Sequence, residues 1–307
     1  MIKTPLLAAL SAGLLLAAGA LERPPIVGIA NFVVKTDNLD EVRKFYTGVL
    51  GYSEVFKHKR PGVASDLAVF KVNDRQYIEV TQTLANEADD KMIQIGFETK
   101  DARKLRAYLA AKGVAAPAKV AKDLDGNLSF VVKDPEGHAV EFVEYRPGSL
   151  HSRNFGKALS AQRISDHMIH VGIHVKSAGA QNKFYQDILG FRFQWKGGGG
   201  PAEDKIDWMS YMVPDGNNWI EYMISRDTPS PQQLGVWHHV CVGTLDIQAL
   251  YKTVVSRGYT PRREPNIARD GRWLLQLYDK HNTRTEVMIR KPVQKPCCSE
   301  NLDPYVK

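Results

Sequence analysis

The sequence predicts an α+β fold that is built from four βαβββ units. Two observations support this prediction. The chain repeats itself at a nearly constant spacing, and each repeat has the hydrophobic pattern of a strand, a helix and three more strands. Residues 31–52 match residues 170–191 with a constant difference of 139 in numbering. The chain is therefore a duplication of a two-unit segment.

A second set of matches fixes the register of the other two units. Five residues recur with a constant difference of 145 in numbering. They are Gln94, Asp101, Gly113, Asp134 and Glu141, which match His239, Asp246, Gly258, Asp279 and Glu286. Because the spacing is constant, equivalent positions in the two halves can be compared directly.

The third unit shows the element pattern most clearly. Residues 168–175 alternate as a strand does, and residues 178–189 have the length of a helix that ends at Gly190. The remaining strands begin at 191, 208 and 219, with a Pro-Asp-Gly-Asn turn at 214–217. This pattern predicts one helix packed against four strands in each unit.

Residues 1–20 have the pattern of a signal peptide. Lys3 precedes an apolar run that ends in Ala18-Gly19-Ala20, the small-x-small pattern at which signal peptidase cleaves. The run is shorter than the roughly 20 residues that span a bilayer, which argues against an uncleaved anchor. We therefore expect an exported protein, periplasmic or secreted, that is not associated with the membrane after cleavage.

The remaining chain has the length of two domains, at about 150 residues per domain. We expect an N-terminal domain over 24–146 and a C-terminal domain over 166–291. A polar stretch with little periodicity, 147–165, is the predicted linker, and 292–307 forms a tail.

The charge and cysteine content of the chain argue against a nucleic-acid partner and against a disulfide framework. The formal charge of +7 has no long Lys/Arg block behind it, which indicates a solvated basic surface and no nucleic-acid partner. The three cysteines, Cys241, Cys297 and Cys298, do not make a disulfide framework. For Cys297 and Cys298 the sequence leaves open a metal-chelating role and a functionally silent end.

The repeated segments resemble the vicinal oxygen chelate superfamily, which includes glyoxalase I, bleomycin resistance proteins and extradiol dioxygenases. The resemblance is carried by the opening strands, by the FYxxxLG motif at 45–51 and 184–190, and by the Asp-Pro-Glu-Gly-x-x-x-Glu segment that ends at Glu141. It covers almost the whole chain after residue 20. It implies two glyoxalase-like domains of paired units, in which curved mixed sheets close around a pocket and the first and fourth strands hold a metal.

Carried over by register, the resemblance places a complete set of metal ligands in the C-terminal half alone. The candidate ligands are His170, Glu221, His239 and Glu286, whereas the equivalent N-terminal residues are Asn31, Glu79, Gln94 and Glu141. Imidazole and carboxylate suit Zn²⁺, Ni²⁺, Fe²⁺ or Mn²⁺, and we expect one divalent ion per chain. Two hydrogen-bonded core histidines are the alternative interpretation.

Residues two apart on a strand share a face, which predicts substrate-binding side chains beside these ligands. The predicted substrate-binding residues are Trp219, Met223, Trp237 and Arg284. All five tryptophans lie in the C-terminal half, as suits an aromatic-lined pocket. Ordinary core packing would explain the same pattern, so both interpretations stay open.

The spacing of the His-Glu-His-Glu set resembles that of bacterial glyoxalase I. The resemblance implies a metal-dependent enzyme for a small molecule with vicinal oxygens, in which Glu286 or Glu221 moves a proton. The reaction class is then an isomerase, lyase or epimerase, acting as a monomer or homodimer on a substrate that the sequence does not identify.

Two other functions remain open. An extradiol dioxygenase would need only His170, His239 and Glu286 as ligands. Residues 268–278, however, lack the additional histidine that the superfamily's ring-cleaving enzymes have before the last strand. A protein that binds and sequesters a small molecule without chemistry would need no metal ligands at all.

Overall fold

The computed structural model describes residues 21–59, 66–200 and 205–306. The predicted signal peptide over 1–20 lies outside these residues. The described chain forms two eight-stranded mixed sheets with the same strand order, which confirms the predicted α+β fold of four βαβββ units. None of the helices in the described ranges has the length and apolar character of a membrane span.

The N-terminal sheet has the strand order β2-β3-β4-β1-β5-β8-β7-β6. Its strands are β1 (Ile26–Lys35), β2 (Ser53–Lys59), β3 (Asp66–Lys71), β4 (Tyr77–Thr81), β5 (Met92–Thr99), β6 (Ala121–Lys122), β7 (Leu128–Lys133) and β8 (Ala139–Glu144). The helices are α1 (Leu39–Arg43), which continues as a π-helical turn (Lys44–Val49), and α2 (Ala102–Ala111). Strand β1 is parallel to β4 and antiparallel to β5, so the first strands of the two units meet at the centre.

The C-terminal sheet repeats this arrangement in the order β10-β11-β12-β9-β13-β16-β15-β14. Its strands are β9 (Met168–Val175), β10 (Arg192–Gly197), β11 (Trp208–Met212), β12 (Trp219–Ile224), β13 (His239–Gly243), β14 (Asn266–Ile267), β15 (Trp273–Tyr278) and β16 (Arg284–Met288). The helices of the linker and this half are α3 (Leu150–Arg153), α4 (Ala178–Asn182) with a π-helical turn (Lys183–Ile188), α5 (Pro231–Trp237), α6 (Ile247–Ser256) and a short 3₁₀ helix (Pro304–Val306).

The FYxxxLG motif has a structural explanation in the π-helical turns. In each motif the two consecutive aromatic residues, such as Phe184 and Tyr185, are both buried against the sheet. The wider i→i+5 turn, closed by Leu189 N donating to Phe184 O at 3.0 Å, brings consecutive side chains closer to one face. Gly190 then ends the helix at φ +78°, in the left-handed region that favours glycine.

Two carboxamides at equivalent positions join the two sheets. Gln76 Oε1 accepts a hydrogen bond from Met168 N at 2.7 Å, and Asn218 Oδ1 accepts one from Ile29 N at 3.0 Å. Asn218 Nδ2 also donates to Met168 O at 2.7 Å. Since Ile29 lies in β1 and Met168 begins β9, these buried side chains fix the first strands of the two domains against each other.

His281 forms a second link between the domains. Its Nε2 lies 2.8 Å from Asp37 Oδ1 and its Nδ1 lies 2.7 Å from Glu87 Oε1, so both ring nitrogens contact carboxylates of the N-terminal domain. One ion cannot be bound by both nitrogens of the same ring. Hydrogen bonds between domains therefore account for this cluster.

The tail packs beside β10, at the edge of the C-terminal sheet. Leu302 N donates to Gln194 O at 2.9 Å, and Trp195 Nε1 donates to Cys297 O at 3.0 Å. Asp303 is fully buried, and Cys297 and Cys298 form a disulfide bond with each other. The described tail is therefore a packed part of the C-terminal domain.

Candidate metal centre

The four candidate ligands lie on the four central strands of the C-terminal sheet. His170 is in β9, Glu221 in β12, His239 in β13 and Glu286 in β16. These strands are neighbours in the order β12-β9-β13-β16. The repeat that places the first strands at the centre of the sheet therefore also brings the four side chains together.

Carboxylate oxygens of both glutamates lie near the Nε2 atoms of the two histidines, and one ligand atom each from His170, Glu221 and His239 lies within 4.8 Å of the others. His170 Nε2 and His239 Nε2 lie 3.1 Å apart. Glu221 Oε2 lies 3.7 Å from His170 Nε2 and 3.5 Å from His239 Nε2. Glu286 approaches the same two nitrogens at 3.9 and 3.8 Å. All four side chains are buried or nearly so.

This donor set fits a divalent ion. Two ligands that are each about 2.1 Å from one ion lie about 3.0 to 3.5 Å apart when their angle at the ion is between a right angle and the tetrahedral angle. The shortest separation between candidate ligand atoms is 3.1 Å, and the longest separation from a histidine Nε2, 3.9 Å, exceeds this range only slightly. Two imidazoles and one or two carboxylates are ligands that Zn²⁺, Fe²⁺, Ni²⁺ and Mn²⁺ accept.

The protonation of His239 directs its second nitrogen into the site. Its Nδ1 lies 3.0 Å from Trp237 O, a carbonyl that can only accept, so Nδ1 carries the proton and Nε2 presents a lone pair. Arg284 Nη2 lies 2.8 and 3.1 Å from the two ring nitrogens. An atom in the ring plane at those distances would overlap Cε1, so the guanidinium lies over the ring face.

His170 is oriented differently. Its Nδ1 is buried and has no hydrogen-bond partner among the described residues. The ring instead stacks on Trp219, with centroids 5.1 Å apart and an interplanar angle of 28°. A stacked aromatic ring therefore takes the place of the usual hydrogen-bond partner of a metal-binding histidine.

Burial controls the ionisation of the centre. It lowers the pKa of His170 and of His239 well below the usual range, and the nearby Arg284 cation lowers both further, so the imidazoles are neutral as a metal requires. Burial, together with the neighbouring Glu286, raises the pKa of Glu221 to about 8. Burial also raises the pKa of Glu286 to about 7, against the opposing effect of Arg284. A bound cation would restore both carboxylates to the charged form.

Cys241 borders the centre on β13. It pairs in register with His170 and with Glu286, and its sulfur belongs to a group of potential ligand atoms that all lie within 4.8 Å of one another. The side chain is fully buried, and burial raises the pKa of the Cys241 thiol well above its usual range. In this environment the thiol is neutral.

A cavity of about 330 Å³ adjoins the ligands. Of the predicted substrate-binding residues, Met223 and Arg284 line it. Trp219 lies behind His170, buried to 1% exposure, and Trp237 stacks on His174 with ring centroids 5.0 Å apart. The structure thus brings two of the four to the cavity wall.

Other wall residues were not among the four predicted substrate-binding residues, although the two tryptophans fit the expectation of an aromatic-lined pocket. They include Trp195, Trp208, Arg269 and Gln276. Gln276 is the register partner of Glu286, and Trp208 is the register partner of Met223. These partners follow from the strand pairing, and they can be found from the sequence only after the pairing register is known.

The equivalent N-terminal position has a different chemistry. Asn31 Nδ2 and Gln94 Nε2 donate to the same oxygen of Glu141, at 2.8 and 2.9 Å. Burial raises the pKa of Glu141, while the hydrogen bond from Asn31 opposes that shift. The two amides that replace the imidazoles therefore donate hydrogen bonds to a partly buried carboxylate, beside a cavity of about 410 Å³.

The sequence profile of the Glyoxalase/Bleomycin resistance protein/Dioxygenase superfamily matches residues 28–142 and 167–287. The chain belongs to this superfamily. The two matches correspond to the two sheets, which confirms the resemblance inferred from the repeats. A search of curated protein sequences gave no significant match.

Solved structures share the fold of this superfamily member at low sequence identity. The 2,3-dioxygenase LapB from Pseudomonas sp. KL28 has a TM-score of 0.67 at 16% identity, covering 90% of this chain and 97% of that one. The Mn(II)-bound glyoxalase from Novosphingobium aromaticivorans has a TM-score of 0.64 at 17% identity, covering 87% and 83%. Homoprotocatechuate 2,3-dioxygenase from Arthrobacter globiformis has a TM-score of 0.65 at 16% identity, covering 92% and 85%. At these identities the likeness establishes the fold alone.

Proposed function

We propose that this superfamily member is a metal-dependent enzyme that moves a proton between neighbouring carbons of a small molecule with vicinal oxygens. The reaction class would be a glyoxalase I-like isomerase or lyase, or an epimerase. The observation that supports it best is the presence of two carboxylates, Glu221 and Glu286, on either side of two neutral imidazoles. One carboxylate completes a three-ligand site, and the second is then available as a base.

The two carboxylates differ in their surroundings. Arg284 Nη1 lies 3.4 Å from Glu286 Oε2, and the Glu286 side chain is 5% exposed. Glu221 is 14% exposed, and among the described residues no arginine lies within salt-bridge distance of it. We therefore assign Glu286 as the fixed ligand and Glu221 as the mobile acid–base group.

A divalent ion held by His170, His239 and Glu286 would polarise a substrate carbonyl and stabilise negative charge on its oxygen. Glu221 lines the cavity, where its carboxylate would take the proton from the adjacent carbon and return it to the neighbouring one. A bound cation would keep the Glu221 carboxylate charged and able to accept this proton, whereas burial, which raises the pKa of Glu221, favours its holding the proton before the return step.

The cavity wall indicates the class of substrate. Trp195, Trp208 and Met223 give it an apolar side that excludes water, whereas Arg284 and Arg269 supply positive charge. A small 2-oxoaldehyde or 2-hydroxy acid carrying a negative group would suit both features. The cavity volume of about 330 Å³ suits a molecule of that size.

The test is an activity screen of 2-oxoaldehydes, 2-hydroxy acids and catechols, with and without oxygen. We expect proton-transfer activity that survives without oxygen. Glu221→Gln should lower kcat by about 10²- to 10⁴-fold while the protein still binds metal. Glu79→Gln, at the equivalent N-terminal position, is the matched control and should leave kcat unchanged.

Extradiol ring cleavage is the second candidate, because His170, His239 and Glu286 form the two-histidine, one-carboxylate set that such iron enzymes use. It would require oxygen and catechol, and it would not need Glu221 as a base. If catechols gave yellow products only in the presence of oxygen, ring cleavage would be the function and our proposal of proton transfer would be wrong. A protein that binds these compounds without turnover or metal would instead be a sequestering protein.

We also propose that the protein is exported to the periplasm or secreted, on the strength of the signal-peptide pattern in residues 1–20. Sequencing the N-terminus of protein recovered from outside the cytoplasm should give a chain that begins near Leu21. Recovery of uncleaved chain in the membrane fraction alone would contradict export with cleavage.

A further inference from the structure

A stack of charged and aromatic groups runs from the C-terminal tail towards the metal centre. Its outer member is Asp303, which is fully buried. The Asp303 carboxylate accepts hydrogen bonds from Arg290 Nε and Nη2, each at 3.1 Å, and from Arg272 Nη2 at 3.5 Å. One tail residue therefore contacts two arginines of the domain.

Both arginines lie over the same aromatic ring. The guanidinium carbon of Arg272 is 5.1 Å from the ring centroid of Trp219, and that of Arg290 is 5.3 Å from it. Both distances are within the range of a cation–π interaction. Trp219 in turn stacks on His170, so the tail reaches a candidate metal ligand through two layers of side chains.

Each histidine of the centre must be held in one orientation to bind an ion. Only His239 has a hydrogen bond from its second ring nitrogen that does this. His239 is oriented by the hydrogen bond from its Nδ1 to Trp237 O. His170 Nδ1 has no hydrogen-bond partner in the described chain, so its ring plane depends on packing, and the stack on Trp219 covers its face while His239 contacts its edge.

We propose that Asp303 is a positioning residue for the metal centre. By accepting hydrogen bonds from Arg272 and Arg290, it holds their guanidinium groups over Trp219, and Trp219 in turn holds His170 with Nε2 directed at the ion. This inference rests on the metal-dependent function proposed above. It assigns the tail a role in metal binding, although no described tail residue forms a hydrogen bond or ion pair with the four ligands.

Loss of the Asp303 charge should change the packing of Trp219 against His170 at the metal centre. It would leave the buried Arg272 and the partly buried Arg290 with less compensating charge, and their guanidinium groups would move towards other acceptors. Arg272 retains Asp270 at 2.8 Å, so the cluster is weakened and not abolished. We therefore expect a changed position of Trp219 in a folded protein.

The experiment measures Co²⁺ affinity by competition with a chelator, and the visible absorption spectrum of the Co²⁺-loaded full-length protein. Asp303→Asn should weaken Co²⁺ binding by about 10- to 100-fold, the range found for groups that orient metal ligands. It should also alter the spectrum, because the spectrum reports ligand geometry. Asp303→Glu should restore part of both properties.

A matched control separates positioning from general stability. Asp134 is also buried, binds Gln181 Nε2 at 3.0 Å and belongs to the N-terminal domain. Asp134→Asn should lower the unfolding midpoint without changing the Co²⁺ spectrum or affinity. If Asp303→Asn does not fold, Trp219→Phe, which keeps all charges, should give weaker binding and an altered spectrum by removing part of the stacked ring.

Two results would overturn the inference, and they can be told apart. If the wild-type protein binds Co²⁺ but Asp303→Asn or Trp219→Phe binds it with unchanged affinity and spectrum, the positioning role is wrong and the proposed function stands. If the wild-type protein binds no divalent ion, both proposals are wrong.

Discussion

Gly172 lies directly opposite His239 across the antiparallel pair of β9 and β13. A Cβ atom at Gly172 would lie 2.0 Å from Cε1 of the His239 ring and 2.2 Å from its Nδ1. The imidazole therefore occupies the space that any other residue would fill. Because Gly172 in β9 has no side chain, the His239 ring of β13 can extend across β9 towards His170.

We expect Gly172→Ala to displace the His239 ring and weaken metal binding by about 10- to 100-fold, similar to the loss of an orienting group. Overpacking should also lower the free energy of unfolding by about 1 to 3 kcal/mol. Chelator competition and urea unfolding measure the two effects. Unchanged affinity would show that the ring has room that the structure does not indicate.

Two other glycines provide controls for this substitution. At Gly179, in α4, a Cβ atom would meet nothing within 4 Å, so Gly179→Ala should leave metal affinity unchanged and should not lower the free energy of unfolding. Gly96 of β5 is the register partner of Asn31 in the N-terminal sheet, and a Cβ atom there would lie 2.3 Å from Asn31 Oδ1. Gly96→Ala should therefore destabilise the protein but leave its metal content unaltered.

The two domains should differ in metal binding. We expect one tightly bound divalent ion per chain after dialysis, and its loss in His170→Ala or His239→Ala, with affinity lowered by more than about 100-fold. Glu79→Ala and Glu141→Ala should keep full occupancy, although Glu141→Ala leaves two amides without their acceptor. Elemental analysis of untagged protein is the measurement. Two ions per chain would mean that the N-terminal domain also binds metal.

Metal should also stabilise the fold, because it binds the native state. At a free concentration of 100 times the dissociation constant, the gain is about 2.7 kcal/mol. The wild-type protein should show this increase in unfolding free energy. The His239→Ala variant should show none, whatever its stability without metal.

The metal-free protein should lose stability as pH rises from about 6.5 to 8. The pKa of Glu221 is raised from 4.5 to about 8 and that of Glu286 to about 7, so the folded state retains protons that the unfolded chain has released. Stability from these protonated groups is complete below about pH 4.5 and is lost as pH approaches the folded values. Below about pH 6.5 the effect of the two glutamates is offset, because the pKa values of His170 and His239 are lowered and folding then releases protons from the histidines. Glu221→Gln should reduce the loss by roughly 1 to 4 kcal/mol.

Urea unfolding of metal-free protein across this pH range tests the sign. The metal-loaded protein is the internal comparison, because the ion competes with protons and its stabilising effect should grow with pH. Equal pH dependence in the wild-type and Glu221→Gln proteins would contradict the assigned burial of this carboxylate.

The cysteines should show a fixed pattern of reactivity. Cys297 and Cys298 are bonded to each other, and Cys241 is fully buried. A thiol reagent should therefore modify no cysteine in the native protein, one after unfolding without reductant, and all three after reduction. More than one reactive thiol in the unfolded, unreduced protein would show that the disulfide does not form.

Much of this architecture could be predicted from the sequence. The constant spacing of 145 between equivalent residues such as Gln94 and His239 established the duplication, and the strand periodicity gave the βαβββ units. The superfamily resemblance implied that the first strands of paired units meet, and the register then predicted that His170 and His239 would lie together. Their Nε2 atoms are 3.1 Å apart.

Which side chains surround the metal centre depends on the tertiary structure. Alternation along β12 assigns Trp219 to a face of the sheet, but it does not say whether a cavity or another ring covers that face. The pairing of β9 with β12 places Trp219 against His170, and the tail then covers it with arginines bound to Asp303. Trp208 reaches the cavity instead, from a neighbouring strand.

The ligand positions could be predicted and their surroundings could not, because the two depend on interactions over different distances along the chain. Hydrophobic period and repeat spacing are properties of short segments, so the sequence determined the elements, their order and the positions of the ligands. The stack from Asp303 to His170 joins residues that are more than a hundred positions apart, and its partners are chosen by shape and charge in three dimensions. The connection from Asp303 in the tail to the candidate ligand His170 is therefore visible only in the tertiary structure.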